Sequence, residues 1–458
     1  MTPFETLRLL RTLGDLRARE RWTRSQIEAY QRAQLAKLRA FAYDHSPFYQ
    51  AFHHGLQDRP LQDLPVLTKA MLMERFDDLV TDRAIRLEEV RAFASAGNPS
   101  TLYRDRYRVT ATSGSSGQPG YFLYSPTEWF TIMASFARGQ EWSGATINLL
   151  QRRRMATVAS LSPWHVSSQV AATAQTWWTP SLRLAASDPV ESLVERLNAW
   201  RPQILITYAS MARLLAEEQL AGRLRIQPET VFTSSEVLTE ETRRRSRAAW
   251  GIEPFNQYGA TETAEIAAER ANCHRLHLFD DLILTEVVDE QDRPVPAGAY
   301  GARLLVTTLY SRTQPLIRYA LEDRVQLAPD PHACELAFGV LGGIQGRIEN
   351  TLHMLTAAGR RIPVQPLVFN RVMDILPLTG WQVTQEQDEG LTVLLSGVPD
   401  TALVTTVTDG IVGSLRQEGV QPPIITVQWV DRIPQAASGK APLIKSSRLP
   451  SRDNSRLG

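Results

Sequence analysis

The chain reads as an α/β protein. It has a large N-terminal domain of helix-covered sheets that includes a β subdomain, followed by a small α+β C-terminal lid domain. Three observations predict this. The first ~90 residues carry apolar side chains at helical spacing. From Asp188 to Tyr258, short β-rich runs alternate with helical patterns, the mark of parallel strands joined by crossover helices. After Leu278 the helical signal gives way to hairpins, and then to strands around a single helix. At 458 residues the chain is too long for one compact core. The large domain is placed at 1–347, with its β subdomain at about 279–345, and the lid at 348–458.

Each element has its own signal. Thr23-Arg24-Ser25-Gln26 has the form of a capping box, and Ile27, Tyr30, Leu35, Leu38 and Phe41 follow until Ser46-Pro47 stops the pattern. Tyr107 to Thr112 and Tyr121 to Tyr124 read as strands. Asp188-Pro189-Val190-Glu191 supplies an N-cap, an N1 proline and an N3 glutamate for a helix ending near Trp200. A strand at Ile204 to Tyr208 follows, then a helix to about Gly222 and a strand at Val231 to Thr233. A helix from Thr239 to Trp250 closes at Gly251, and Phe255 to Tyr258 is strand-like. Ile283 to Val288 and Gly301 to Tyr310 read as hairpin strands of the β subdomain. Gly346 to Asn350 forms a polar junction. In the lid, strands surround Trp381, Leu391 to Leu395 and Ile424 to Val430, and one helix carries Leu403, Val407, Ile411 and Leu415.

Composition excludes several classes. Fifty basic and 49 acidic residues leave a formal net charge of +1, so there is no overall pull toward nucleic acid or an anionic membrane. Arg152 to Arg154 and Arg243 to Arg245 are read as solvated faces. Two cysteines make no disulfide framework and fit a reducing cytoplasm. No run of about 18 apolar residues marks a membrane span, and the start lacks the apolar core of a signal peptide.

Four stretches carry chemistry. Thr110 to Gly120, TATSGSSGQPG, holds three glycines and five hydroxyl side chains without a charge. Between two strands such a loop turns many N–H and O–H donors toward one anion, though a plain flexible hairpin has the same composition. It lacks the helix-opening Gly-Lys-Ser/Thr of P-loop NTPases. Tyr258-Gly259-Ala260-Thr261-Glu262 places a carboxylate at a strand end, where ligands of parallel sheets sit and a hard cation binds beside phosphates. Arg318 and Asp323 emerge past the apolar Leu316-Ile317. Asp323 suits the two hydroxyls of a ribose, and an Arg–Asp surface pair is the other reading. Gln435 to Lys440 is a small loop presenting one lysine, either plainly solvated or recruited to a phosphoryl site.

In order and spacing, these four stretches resemble the adenylate-forming superfamily of acyl-CoA synthetases, peptide-synthetase adenylation domains and luciferase. More narrowly they resemble its phenylacetate–CoA ligase branch with its capsule-locus relatives. Ser46-Pro47-Phe48-Tyr49, Leu64-Pro65-Val66-Leu67-Thr68-Lys69 and Pro315 to Tyr319 carry the branch resemblance, which covers almost the whole chain. The resemblance implies activation of a carboxylic acid by ATP and Mg²⁺ to an acyl-adenylate, with transfer to coenzyme A. Transfer to an amine or a carrier-protein thiol, and a degenerate adenylate-binding protein, are the alternatives. It implies that Thr112, Ser113, Gly114, Ser115, Ser116 and Gly117 hold the β,γ-phosphates, and that Ser234, Ser235 and Glu236 pass along the adenine. Tyr258, with Gly259 and Thr261 beside it, would face the adenine or the acyl group, and Glu262 would bind Mg²⁺. Asp323 would hold the ribose with Arg347 assisting, Glu349 would fall at the hinge, and Lys440 would reach the carboxylate and α-phosphate. Thr112, Glu262 and Lys440 are the expected catalytic set.

Trp164 and His165 resemble the gate of the acyl pocket. Trp142, Trp177 and Trp178 lie in the same stretch and favour an aromatic acid, although core packing explains them as well. Members of the family are often dimers. The chain departs from the pattern at three places: Gly120 stands where a loop lysine is common, Tyr319-Ala320-Leu321-Glu322-Asp323 replaces the usual ribose stretch, and Glu349-Asn350 the hinge pair. Cys273, His277, His332 and Cys334 match the ligand chemistry of structural zinc and resemble a zinc site of the branch, while buried apolar cysteines are the bland alternative.

Overall fold

The computed structural model describes residues 3–96, 101–112, 119–145, 152–174, 179–330, 334–347, 352–364, 366–373, 376, 378, 380–435 and 441–446. The N-terminal region is helical, as its spacing predicts: α1 (Pro3–Arg19), α2 (Arg24–His45), α3 (Pro47–Phe52), α4 (Lys69–Glu74), α5 (Phe76–Leu79) and α6 (Leu87–Ser95). The capping box at Thr23 forms, with the Gln26 amide N–H bonding the Thr23 hydroxyl and the Thr23 N–H bonding Gln26 Oε1. Ser46 ends α2 and caps α3, whose first residue is Pro47. These two residues turn the chain because proline cannot extend the helix before it yet suits the first turn of the next.

The loop expected between two strands lies between two strands. β1 (Arg108–Ala111) and β2 (Tyr121–Tyr124) pair antiparallel, with Ala111 opposite Tyr121. The helix α7 (Pro126–Trp142) follows, capped reciprocally by Ser125 and Glu128. Next come β3 (Met155–Ala159), α8 (Val166–Ala174), β4 (Ser181–Ala185), α9 (Val190–Trp200), β5 (Ile204–Tyr208), α10 (Ala209–Leu220), β6 (Thr230–Ser234), α11 (Glu240–Trp250) and β7 (Phe255–Ala260). The strands β4, β3, β5, β6 and β7 are parallel neighbours in that order, the crossover arrangement that the alternation predicts. One detail shifts: the cap of α9 falls on Pro189, one residue later than expected. As expected, α11 is capped by Thr239 and closed by Gly251, at φ 75°.

After β7 the sheet turns antiparallel. β8 (Ala264–Glu269) and β9 (Leu276–Leu278) continue it, and β10 (Ile283–Val288), β11 (Arg303–Thr308) and β12 (Tyr319–Leu321) form a separate three-stranded sheet. The next two strands, β13 (Asp323–Leu327) and β14 (Val340–Arg347), return to the large sheet beside β9. The segment read from sequence as one β subdomain therefore contributes to two sheets. Among the described residues the large sheet has nine strands.

The C-terminal portion holds β15 (Leu352–Leu355), β16 (Arg361–Val364), α12 (Pro366–Met373), β17 (Gly380–Gln385), β18 (Leu391–Ser396), α13 (Thr401–Gln417), β19 (Ile425–Trp429) and β20 (Ile444–Ser446). It has its own core, in which Trp381 is 1% exposed against Val407, Ile411 and Leu415 of α13. Truncating such a ring to alanine costs about 3–5 kcal/mol.

The basic run at 243–245 departs from the solvated face expected of it. Arg243 forks onto the buried Glu269, and Arg245 bonds Glu241 and the Leu378 carbonyl, tying α11 to the C-terminal portion. Arg152 and Arg154 do lie exposed.

Candidate active site

The β1–β2 hairpin meets the end of β7, where the Tyr124 hydroxyl of β2 bonds the turn that follows. Thr112 and Gly120 close the hairpin loop from both sides. The Thr112 N–H donates to the Gly120 carbonyl at 2.9 Å, and the Gly120 N–H donates to the Thr112 hydroxyl at 2.8 Å. Ser113, Gly114, Ser115, Ser116 and Gly117 lie outside the described residues. The Ala111 N–H bonds the Trp164 carbonyl at 2.8 Å, so the expected acyl-gate segment docks on the strand that feeds the loop. Trp164 packs edge-on against Phe93, and the His165 carbonyl accepts from Gln169 in the first turn of α8.

Glu262 sits in the turn joining β7 to β8, 8% exposed, and three tyrosines hold that turn. The Tyr319 hydroxyl donates to Glu262 Oε1 at 3.3 Å. The Tyr124 hydroxyl reaches the Thr261 carbonyl at 2.7 Å and that of Glu262 at 3.0 Å, and Tyr310 donates to the Thr263 carbonyl at 3.0 Å. Burial pushes the Tyr124 and Tyr310 phenols well above their ordinary range, which keeps both as proton donors. The sequence assigns these hydroxyls no role: Tyr124 and Tyr310 lie in runs that read as strand, and Tyr319 stands out only within the run before Asp323. A hydroxyl's partner across the fold leaves no local signal.

Gly259 is required by close approach. A Cβ built there would fall 2.4 Å from the Ala264 carbonyl oxygen, where β7 and β8 shift register between Tyr258 and Gly259. Tyr258 is 9% exposed and its hydroxyl donates to Asp323 Oδ2 at 3.0 Å. Asp323 opens β13 and stands opposite Arg347 in the β13–β14 ladder. The expected nucleoside residues Tyr258, Asp323 and Arg347 are thus neighbours in the fold.

Several expectations need correction. Arg318 is neither on the surface nor paired with Asp323. It is 2% exposed, at φ 50°, and its guanidinium bonds Glu286 at 3.2 Å and the Leu64 carbonyl. Glu236 accepts from the Ser210 N–H at 2.8 Å, which turns its carboxylate to the start of α10. The preceding Ser235 adopts φ 67° just past β6. Trp142 donates to Glu20 and packs against Phe279 and Phe338, with the Arg138 guanidinium over its ring, so it belongs to the core. Trp177, Trp178, Glu349 and Lys440 lie outside the described residues.

Of the four candidate zinc ligands, three converge. Ligand atoms of Cys273, His277 and Cys334 all lie within 4.8 Å of one another, and Cys273 Sγ is 3.4 Å from His277 Nε2. Burial lowers His277 to about 4 and raises the Cys334 thiol to about 11. His332 lies outside the described residues.

No family model matches the chain. It is 24% identical over 376 residues to the phenylacetate–coenzyme A ligase of Thermus thermophilus, covering 77% of this chain and 76% of that protein. It is 20% identical over 269 residues to the protein CapK of Staphylococcus aureus, which spans 58% of this chain and 54% of CapK. Among solved structures, 2-hydroxyisobutyryl-CoA ligase in its postadenylation state, bound to 2-HIB-AMP, superposes with a TM-score of 0.74 at 20% identity, over 94% of this chain and 91% of that one. The chain therefore has the architecture of the adenylate-forming acyl-CoA ligases and is phenylacetate–CoA ligase-like along most of its length.

Proposed function

We propose that the protein is an AMP-forming acid–CoA ligase. A substrate carboxylate oxygen attacks the α-phosphorus of ATP, the bond from that phosphorus to the pyrophosphate oxygen breaks, and pyrophosphate leaves. The sulfur of coenzyme A then attacks the acyl carbonyl and AMP departs. The observation that supports this reading is that Tyr124, on the hairpin whose loop Thr112 and Gly120 close, bonds the turn carrying Glu262, while the neighbouring Tyr258 bonds Asp323, in a fold shared with acyl-CoA ligases.

The first step brings two anions together, so its barrier is largely electrostatic. Thr112 and the loop would present donors to the β,γ-phosphates, and Asp323, joined by Tyr258 and backed by Arg347, would accept the ribose hydroxyls. Ser234, Ser235, Glu236, Gly259 and Thr261 would border the adenine, with the Glu236 role limited by its bond to Ser210. Glu262, whose carboxylate Tyr319 bonds, would receive Mg²⁺, which when bound offsets phosphate charge. Lys440 would bring a further positive charge from the C-terminal portion (348–458), turning about Glu349 as a lid on residues 1–347. Trp164 and His165 would line the acyl pocket, and an aryl or arylacetic acid is the class they suit. Cys273, His277, Cys334 and His332 would hold structural zinc, for which the convergence of two sulfurs and one imidazole is suitable chemistry.

Pyrophosphate exchange with a panel of aryl and fatty acids tests the reading. Exchange followed by CoA-thioester formation is expected. Exchange without the thioester would point to an amine or a carrier-protein thiol as acceptor, and no exchange while nucleotide still binds would overturn the enzyme reading. In Lys440→Ala, exchange should fall by about 10²–10³ with ATP still bound.

A further inference from the structure

The hairpin loop has no cation of its own, since Gly120 occupies the position where a lysine is common and the stretch from Thr110 to Gly120 is uncharged. The fold brings one from elsewhere. Lys69 begins α4, far from the loop in sequence, yet its Cε lies 3.1 Å from where a Cβ of residue 120 would stand. Phe122 Cε2 is 3.0 Å from the same point. Gly120 is buried, so any side chain there would have to displace the lysine or the ring. The glycine and the lysine are therefore linked: the missing Cβ is the room that Lys69 uses.

Lys69 is held in place by backbone rather than by charge. Leu67 forms a parallel bridge to Tyr319, with its N–H on the Arg318 carbonyl at 3.0 Å and its carbonyl accepting from Ala320 at 2.9 Å. The Thr68 hydroxyl then caps α4. Lys69 remains half-buried and, among the described residues, is bonded to no carboxylate. A half-buried ammonium without a counter-anion, beside a glycine-rich hairpin, is suited to an anionic ligand. The same Tyr319 that anchors Leu67 also bonds Glu262, and its ring lies edge-on to Phe122 at 6.3 Å. Tyr319 thus links the segment that leads into Lys69, the carboxylate of Glu262 and the Phe122 ring beside Gly120.

We propose that Lys69 is a polyphosphate-binding residue, supplying from the N-terminal helical region the positive charge that the hairpin loop lacks. This rests on the ATP-dependent reading above. It predicts that Lys69 touches the β- or γ-phosphate and not the adenosine or α-phosphate.

The test compares binding of ATP, tripolyphosphate and AMP by calorimetry in wild type, Lys69→Gln, Lys69→Arg, Gly120→Lys and the double variant Lys69→Ala/Gly120→Lys. Losing a charged hydrogen bond corresponds to about 10–100-fold in affinity. Lys69→Gln should lose that factor for ATP and tripolyphosphate and keep AMP within about twofold, with Lys69→Arg recovering most of it. Gly120→Lys alone should weaken ATP by crowding Lys69 and Phe122, and the double variant should bind ATP better than Lys69→Gln. Unchanged ATP affinity in Lys69→Gln, or equal losses for ATP and AMP, would overturn the assignment while wild-type pyrophosphate exchange leaves the ligase reading standing. Wild type that neither binds ATP nor exchanges would overturn both.

Discussion

The Tyr319 hydroxyl and Glu262 Oε1 are 3.3 Å apart, and they join the strand that leads to Asp323 with the turn that carries the candidate magnesium ligand. Tyr319 is 1% exposed, so its hydroxyl has no easy replacement for this bond. In Tyr319→Phe the carboxylate loses a donor that helps set its direction. The variant should fold with a loss of about 1 kcal/mol. Its exchange activity should need several-fold more Mg²⁺, as expected when a ligand's supporting hydrogen bond is removed. A magnesium titration of exchange checks this, and an unchanged half-saturation point would show that Tyr319 does not orient Glu262.

Gly259→Ala tests the geometry of the β7–β8 turn. The added methyl would meet the Ala264 carbonyl oxygen at 2.4 Å, and backbone cannot rotate away as a side chain can. The hairpin must open, moving Tyr258 on one side and Glu262 on the other. We expect about 1–3 kcal/mol of destabilisation by denaturant unfolding, together with loss of exchange. Full activity would mean that the turn tolerates displacement and that the two residues need not be held in register.

Much of this arrangement is legible in the sequence, and the reason is local. Asn256 to Glu262 announces a strand, a glycine turn and a carboxylate, and β5 and α11 are marked by an apolar run and by Thr239 and Gly251 caps. What sequence does not carry is partnership at a distance. Arg318 looks like a companion of Asp323 five residues away, yet the backbone at φ 50° turns it inward to Glu286 and Leu64. Trp142 sits among the expected acyl-pocket residues but is drawn into the core by Phe279. β13 and β14 read as subdomain strands because hairpins pair locally, whereas β14 finds β9 across the sheet.

The cysteine cluster gives a measurement independent of catalysis. If Cys273, His277 and Cys334 hold zinc, the protein as isolated should contain about one zinc per chain. Cys273→Ser should lose the metal and melt at a lower temperature, because the site ties β9 to the segment that follows β13. Low pH should release the metal, since protons compete for the imidazole and the thiolates. A metal-free protein whose melting point ignores added zinc would leave the cluster as three packed side chains.

Glu265 allows a test of stability against pH. It lies fully buried on β8, where a Cβ added to Gly139 of α7 would stand 2.5 Å from its Oε2, and neither carboxylate oxygen has a hydrogen-bond partner among the described residues. Burial therefore pushes its carboxyl well above the usual range, against only a partial pull from Arg138, which is itself engaged with Asp281. The folded state holds the proton more tightly than the unfolded chain does. This contribution is complete below the unfolded carboxyl range near 4.5, and it is lost as pH rises from there toward the raised folded value. Glu265→Gln keeps the shape and removes the titration. Its unfolding free energy, relative to wild type, should rise between pH 5 and pH 8, read by urea denaturation at both values. A difference that stays constant across that interval would mean Glu265 is ionised in the folded protein, with a counter-charge compensating its burial.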